Sequence, residues 1–345
     1  MSTSPLWNDP VATGVGSLPG TEPLEACRLV FGELPDFPYL PELPNRGPWA
    51  DLTGRASALL VEMPVDLQPA GWRLVDRASR DSRRAVAMLA QDLDALEEVA
   101  DGYTGLLKLQ VCGPFTLAAT LERTRGDKVL ADFGARRDLG QSLVEGVAAH
   151  VAEVARRVPG ARVVLQVDEP AVPAVLAGAI PTVSGFSRLR AVPATEVTAT
   201  IGALAAAVEA PVLVHCCATD APFDVLAADG VAGLSFDLAR LDLDADATFS
   251  SLAEAADGGL LLVVGAVPSL ADSGPPVEST RRIEDIRSRV ALMWQRFGRP
   301  AESVAAQVAI SPSCGMASAT PAHARAASSA CVEVARRLGA DAEVG

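Results

Sequence analysis

The sequence predicts an α/β protein built as a single (β/α)8 TIM barrel, and three observations carry that prediction. Strand-like and helix-like segments alternate about eight times along 345 residues, which implies parallel strands joined by right-handed crossovers. No linker divides the chain, so one domain spanning 1–345, with its core at about 11–338, is expected. Residues able to bind metal or charge recur where apolar runs stop, and in such a barrel functional groups gather at the C-terminal ends of the strands.

Residues 11–20 read as a short first strand entering a glycine-rich turn, where Gly16 allows close backbone approach and the Ser17 hydroxyl offers a hydrogen bond. The proline-rich stretch 33–48 reads as an ordered loop over one mouth of the fold, with helix from about Ala50. Leu59-Leu-Val-Glu62 delivers a carboxylate from a segment whose period fits helix or strand. Amphipathic spacing marks a helix over 79–101, followed by a strand over 105–111 that closes in Cys112-Gly-Pro-Phe-Thr116. A helix over 133–157 leads to the strand 161–167, which stops at Asp168-Glu169-Pro170. Acidic residues seldom border a β-branched core run without a role; either they serve chemistry or one of them caps a neighbouring segment. Helix 194–209, strand 211–215, helix 221–229, strand 231–236, helix 246–256, strand 259–265, helix 280–297, strand 304–310 and helix 321–338 complete the alternation.

The run 212–214 ends in His215-Cys216-Cys217, the run 231–236 ends in Asp237, and the run 304–310 leads into Cys314. Imidazole, thiolate and carboxylate suit a four-coordinate Zn²⁺. In extended backbone His215 and Cys217 point to one side and Cys216 to the other. The alternative reading is that the cysteines are buried thiols and His215 a satisfied core residue. The remaining histidines, His150 and His323, lie in helical stretches and read as packing or surface residues.

Composition narrows the function. A hydrophobic share of 49% supports a large core, and a net charge of -14 disfavours nucleic-acid and anionic-membrane partners. No window approaches the roughly 20 apolar residues of a membrane span, and the opening residues lack a basic-then-apolar leader. A cytoplasmic protein acting on a small molecule is expected, with its six cysteines metal-binding, catalytic or buried instead of disulfide-linked.

The pieces Gly16-Ser-Leu-Pro19, Gly113-Pro-Phe-Thr116, Gln166-Val-Asp-Glu-Pro-Ala171, His215-Cys-Cys217, Leu234-Ser-Phe-Asp237 and Pro312-Ser-Cys-Gly315 together resemble the C-terminal catalytic domain of cobalamin-independent methionine synthase. They stand in that family's order over nearly the whole chain. The resemblance implies a zinc-bearing barrel that moves a methyl group to the thiol of homocysteine. It implies metal ligands at His215, Cys217, Asp237 and Cys314, and homocysteine contacts at Ser17, Glu62 and Asp168. Coordination would deprotonate the substrate thiol, and the carboxylates would pair with its ammonium.

The departures concern the methyl donor. The family's third ligand is usually glutamate, where this chain has Asp237. Ala174 stands where the family has a folate-contacting glutamate, Thr120 where it has a tryptophan, and 265–271 contain no counterpart of its proton-donating histidine. A chain of this length also leaves no room for the family's N-terminal folate-binding barrel. The donor is therefore open between methyltetrahydrofolate and a methylated corrinoid, the latter with a corrinoid protein as partner. Rival readings are a uroporphyrinogen-decarboxylase-like enzyme, a transferase acting on another thiol, and a zinc- or thiol-binding relative without turnover.

Overall fold

The computed structural model describes residues 6–242 and 247–344. In chain order its elements are β1 (Val11–Ala12), α1 (Pro23–Glu33), α2 (Leu52–Leu59), β2 (Val65–Gln68), β3 (Gly71–Leu74), α3 (Arg80–Val99), β4 (Gly105–Cys112), α4 (Pro114–Thr120), α5 (Phe133–Arg157), β5 (Ala161–Asp168) and α6 (Val172–Leu176). There follow α7 (Ala194–Ala207), β6 (Val212–His215), α8 (Phe223–Leu226), β7 (Val231–Asp237), α9 (Ala247–Asp257), β8 (Leu261–Val267), α10 (Thr280–Arg296), α11 (Val304–Gln307), β9 (Val308–Pro312) and α12 (Pro321–Val344). Seven strands form one parallel sheet in the order β1-β9-β8-β7-β6-β5-β4, with helices between them. This is the α/β, barrel-like class that the alternation predicts.

Four helices, α2, α3, α5 and α10, start where their sequences place a cap. Asp51, Ser79, Asp132 and Ser279 each accept a hydrogen bond from the backbone N–H three residues on, satisfying a donor that the first turn leaves open.

The eighth strand position differs from the expectation. The stretch read as a loop over the mouth instead runs between β1 and β4, the two ends of the regular sheet. Tyr39 bridges Lys108 in parallel on one side, and Glu42 bridges Ser17 on the other. Four backbone bonds hold it: Leu40 N–H to Lys108 O, Lys108 N–H to Pro38 O, Leu18 N–H to Glu42 O, and Glu42 N–H to Gly16 O. Pro38, Pro41 and Pro44 have no N–H to give, so the pairing stays at isolated bridges and the ladder is not closed.

Other boundaries move for local reasons. Residues 304–307 form a helical turn, so the last strand starts at Val308. Gly259, at φ 88°, ends α9 and delays β8 to Leu261. Position 246, the expected start of the ninth helix, lies outside the described residues. The helix expected over 221–229 is the single turn α8. The antiparallel hairpin β2-β3, unforeseen, bridges Glu122 through Arg73.

Inside the barrel, side chains grade from apolar to polar along the strands. Leu106, Val164, Leu213, Leu261, Val263 and Ala309 form an interior cluster with Phe37 and Trp7. Further along the same pleat positions stand Lys108, Gln110, Gln166, Asp168, His215, Ser235 and Ser311, all buried. Gly233 fits this packing because a Cβ there would meet Leu213 Cδ2 at 2.8 Å. The apolar plug leaves polar chemistry only at the C-terminal end.

His150 on α5 is buried, and burial lowers it to about 4. An unfolded chain takes up this proton near pH 6.5, so the contribution is complete above that value and is lost as pH falls through 4. The loss amounts to roughly 3 kcal/mol. The urea midpoint of a His150→Gln variant is expected to fall less between pH 7 and 4 than that of the parent; equal falls would contradict this.

Candidate metal and substrate site

Two sulfurs from distant strand ends meet at the C-terminal mouth. Cys217, two residues past β6, and Cys314, two past β9, lie 3.6 Å apart. A tetrahedral metal with bonds of roughly 2.3 Å to two thiolates separates them by about 3.7 Å, so this pair fits the edge of a zinc site. The two sulfurs are in hydrogen-bond contact, and either can be the donor. The bond from Cys217 lowers Cys314 to about 6, while the thiolate beside it raises Cys217. Cys216 points the other way, fully buried in the main core, as the strand period requires.

His215 and Asp237 sit close by without completing that edge. His215 is buried at the end of β6, and its Nδ1 lies 2.8 Å from Ser235 Oγ, which leaves Nε2 for another partner. Burial, then the charge of Lys108, lowers it to about 3, so it is a neutral imidazole. Asp237 accepts from Ala239 N–H at 2.8 Å and from Arg240 Nε at 3.2 Å. Both carboxylate oxygens are thus engaged by the turn that follows β7. Among the described residues, no group of three or more His, Cys, Asp or Glu side chains is gathered closely enough to hold a metal ion. The structure brings together two of the four expected ligands, leaves a third with a free nitrogen, and ties the fourth to Arg240.

The adjacent carboxylates of β5 divide their labour. Asp168 points into the barrel, where Gln166 Nε2 donates to its Oδ1 at 2.7 Å. Burial first, and the nearby Glu42 charge second, raise its pKa, while Lys108 opposes them. Its charge reaches both Cys217 and Cys314. Glu169 faces outward and caps α4: its oxygens accept from Phe115 N–H at 2.9 Å, Thr116 N–H at 2.8 Å and Thr116 Oγ at 2.6 Å. Gly113 is required there, since a Cβ would strike the Glu169 carboxyl at 2.4 Å.

Ser17 packs against Gly315, next to Cys314, and its carbonyl accepts from Met316 N–H at 2.8 Å. Glu62 is placed elsewhere. It is exposed, at φ 56°, in the turn after α2, and the neighbouring Val61 carbonyl contacts Ser142 on the outer helix α5. The segment 59–62 is a helix end and a turn, not a strand.

The carboxylate that the fold brings beside Asp168 is Glu42, which the sequence reading missed. It is buried in the irregular eighth strand, accepts from Gln110 Nε2 at 3.3 Å, and pairs with Arg55 Nε at 3.4 Å. Arg55 and Arg46 both bind Asp92 of α3, which is buried. The signal in the sequence was a lone acid within the apolar, proline-spaced run Tyr39-Leu-Pro-Glu-Leu-Pro44.

Residues 10–337 match the sequence model of the family described as cobalamin-independent synthase, catalytic domain. No curated protein matches the chain. Among solved structures it is similar to a B12-independent methionine synthase from Shewanella sp. W3-18-1 in complex with selenomethionine, at 12% identity over 98% of this chain and 100% of that one, with a TM-score of 0.60. It is also similar to a methyltransferase from Methanosarcina mazei, at 13% identity over 96% of this chain and 94% of that one, with a TM-score of 0.57. Identities this low speak for the shared fold and not for shared chemistry.

Proposed function

Because the chain belongs to the cobalamin-independent synthase catalytic-domain family, we propose that it transfers a methyl group to the thiol of homocysteine, giving methionine. The observation that carries this reading is the meeting of Cys217 and Cys314 at 3.6 Å beside the buried acid Asp168. Cys217, Cys314 and the free Nε2 of His215 are the donors that would hold zinc, with Asp237 joining only if it leaves Arg240. Bound zinc would supply a substrate thiol stripped of its proton yet still nucleophilic.

The chain's own residues do the rest. Asp168 and Glu42 take the substrate ammonium, a role for which the exposed Glu62 is badly placed. Ser17, packed against Gly315, would meet the substrate on the Cys314 side. Fixing the amino end holds the sulfur at the mouth for in-line attack. The new S–CH₃ bond forms as the donor's bond to that methyl breaks, and the thiol proton is lost to solvent or donor.

The missing folate contacts at Ala174 and Thr120 keep a methylated corrinoid in play as donor. Zinc-loaded protein is to be assayed for methionine with homocysteine and, separately, methyltetrahydrofolate or methylcobalamin. Methionine above background with at least one donor is expected. Tight thiol binding with neither donor turned over would instead favour a binding protein without turnover.

A further inference from the structure

The ladder that carries His215 also carries the contact that turns its ring. Paired residues of β6, β7 and β8 climb toward the mouth in levels, with Leu213, Gly233 and Leu261 at one level and His215, Ser235 and Val263 at the next. Cys217 and Asp237 follow two residues further along their chains. The lower level is closed, because Leu213 and Leu261 belong to the apolar interior cluster. His215 thus stands one step below the sulfur of Cys217. Which of its two nitrogens faces the mouth is decided by rotation of the ring about one side-chain bond.

We propose that Ser235 is a positioning residue: its hydroxyl holds the Nδ1 edge of His215, so that Nε2 is the nitrogen offered to a metal beside Cys217 and Cys314. This inference rests on the zinc reading above. Ser235 Oγ lies 2.8 Å from Nδ1, and both side chains are buried. Among the described residues the hydroxyl has no other hydrogen-bond partner. A metal on Nε2 leaves the ring proton on Nδ1, and the serine oxygen is placed to accept it.

Strand register sets the two groups face to face. Val263, paired with Ser235 on its far side, is apolar and buried, so it does not compete for the hydroxyl. The backbone is held on both sides of the contact, where Glu169 N–H donates to His215 O at 2.8 Å and Cys216 N–H to Ser235 O at 2.9 Å. Register leaves only the ring rotation free, and the side-chain bond fixes it. Ser235 and Asp237 lie two apart on one face of β7. One strand therefore brings both the contact that orients His215 and the carboxylate expected as a further ligand.

The test is zinc affinity, measured by competition with a chelator and independent of turnover. Ser235→Ala is expected to bind zinc about 10- to 100-fold more weakly than the parent, and Ser235→Thr, which keeps the hydroxyl, within about threefold of it. A serine that merely filled the ladder would weaken zinc binding alike in any background. In a His215→Ala protein, Ser235→Ala should instead weaken it no further, because the serine acts through that ring. With cobalt in place of zinc, the visible spectrum of Ser235→Ala should move toward that of His215→Ala. Parental zinc affinity in Ser235→Ala, or an equal loss with and without His215, would overturn the inference and leave the zinc reading standing. A parent protein that holds no zinc would overturn that reading, and this role with it.

Discussion

Replacing Cys314 by serine is expected to lower methyl transfer to homocysteine by on the order of a thousandfold or more. Cys314 and Cys217 lie in hydrogen-bond contact, so a negative charge on one sulfur is held by the thiol of the other. A serine hydroxyl neither ionises near neutral pH nor matches a soft metal. Cys217→Ser should do the same. The double variant should be little worse than either single one, since both sulfurs serve one centre. Cys216→Ala provides the control, because its side chain packs in the main core away from the pair; activity within about threefold of the parent is expected there. Steady-state rates of methionine formation check this. A Cys314→Ser protein that retains a tenth of the parental rate would remove the thiol pair from the mechanism.

Asp92→Ala is expected to destabilise the fold by about 3–5 kcal/mol. The Asp92 carboxylate is buried on α3 between the guanidinium groups of Arg46 and Arg55, and its removal leaves two buried cations with one fewer anion. Arg55 is also the partner of Glu42 at 3.4 Å, so the damage reaches the site through one side chain. Asp92→Asn keeps the shape and should cost less, while raising KM for the amino thiol more than it lowers kcat. Urea unfolding measures the first effect and initial rates the second. A loss below about 1 kcal/mol in Asp92→Ala would show that Arg46 and Arg55 reach water instead.

The parts of this molecule legible in sequence are those with a regular period. The helix α3 announces itself by amphipathic spacing, and α5 and α10 by their place in the strand–helix alternation. The strands β4 and β5, eight residues each, stand out as apolar runs. The eighth strand does not, because Pro38, Pro41 and Pro44 erase both the alternation and the donors that would mark it. Glu42 was hidden with it, and Glu62, a carboxylate behind a plain apolar run, was the more visible choice.

The candidate site divides in the same way. Cys217 and Cys314 are 97 residues apart in sequence, and what pairs them in advance is the rule that chemistry gathers at strand ends together with the family resemblance. That rule says where a side chain starts and not where it turns. Asp237 stands at the expected strand end, yet its carboxylate is drawn to Ala239 N–H and Arg240, a local contact that no strand pattern announces. Glu169 shows the converse: a carboxylate at a strand end whose task is to cap α4.

The most direct test is the metal itself. After zinc loading and removal of loosely held ions, metal analysis should find about one zinc per chain, with X-ray absorption showing two sulfur neighbours near 2.3 Å. Cys217→Ser and Cys314→Ser should each lose that zinc. A parent protein holding well below one equivalent, or holding zinc with no sulfur neighbour, would contradict the account.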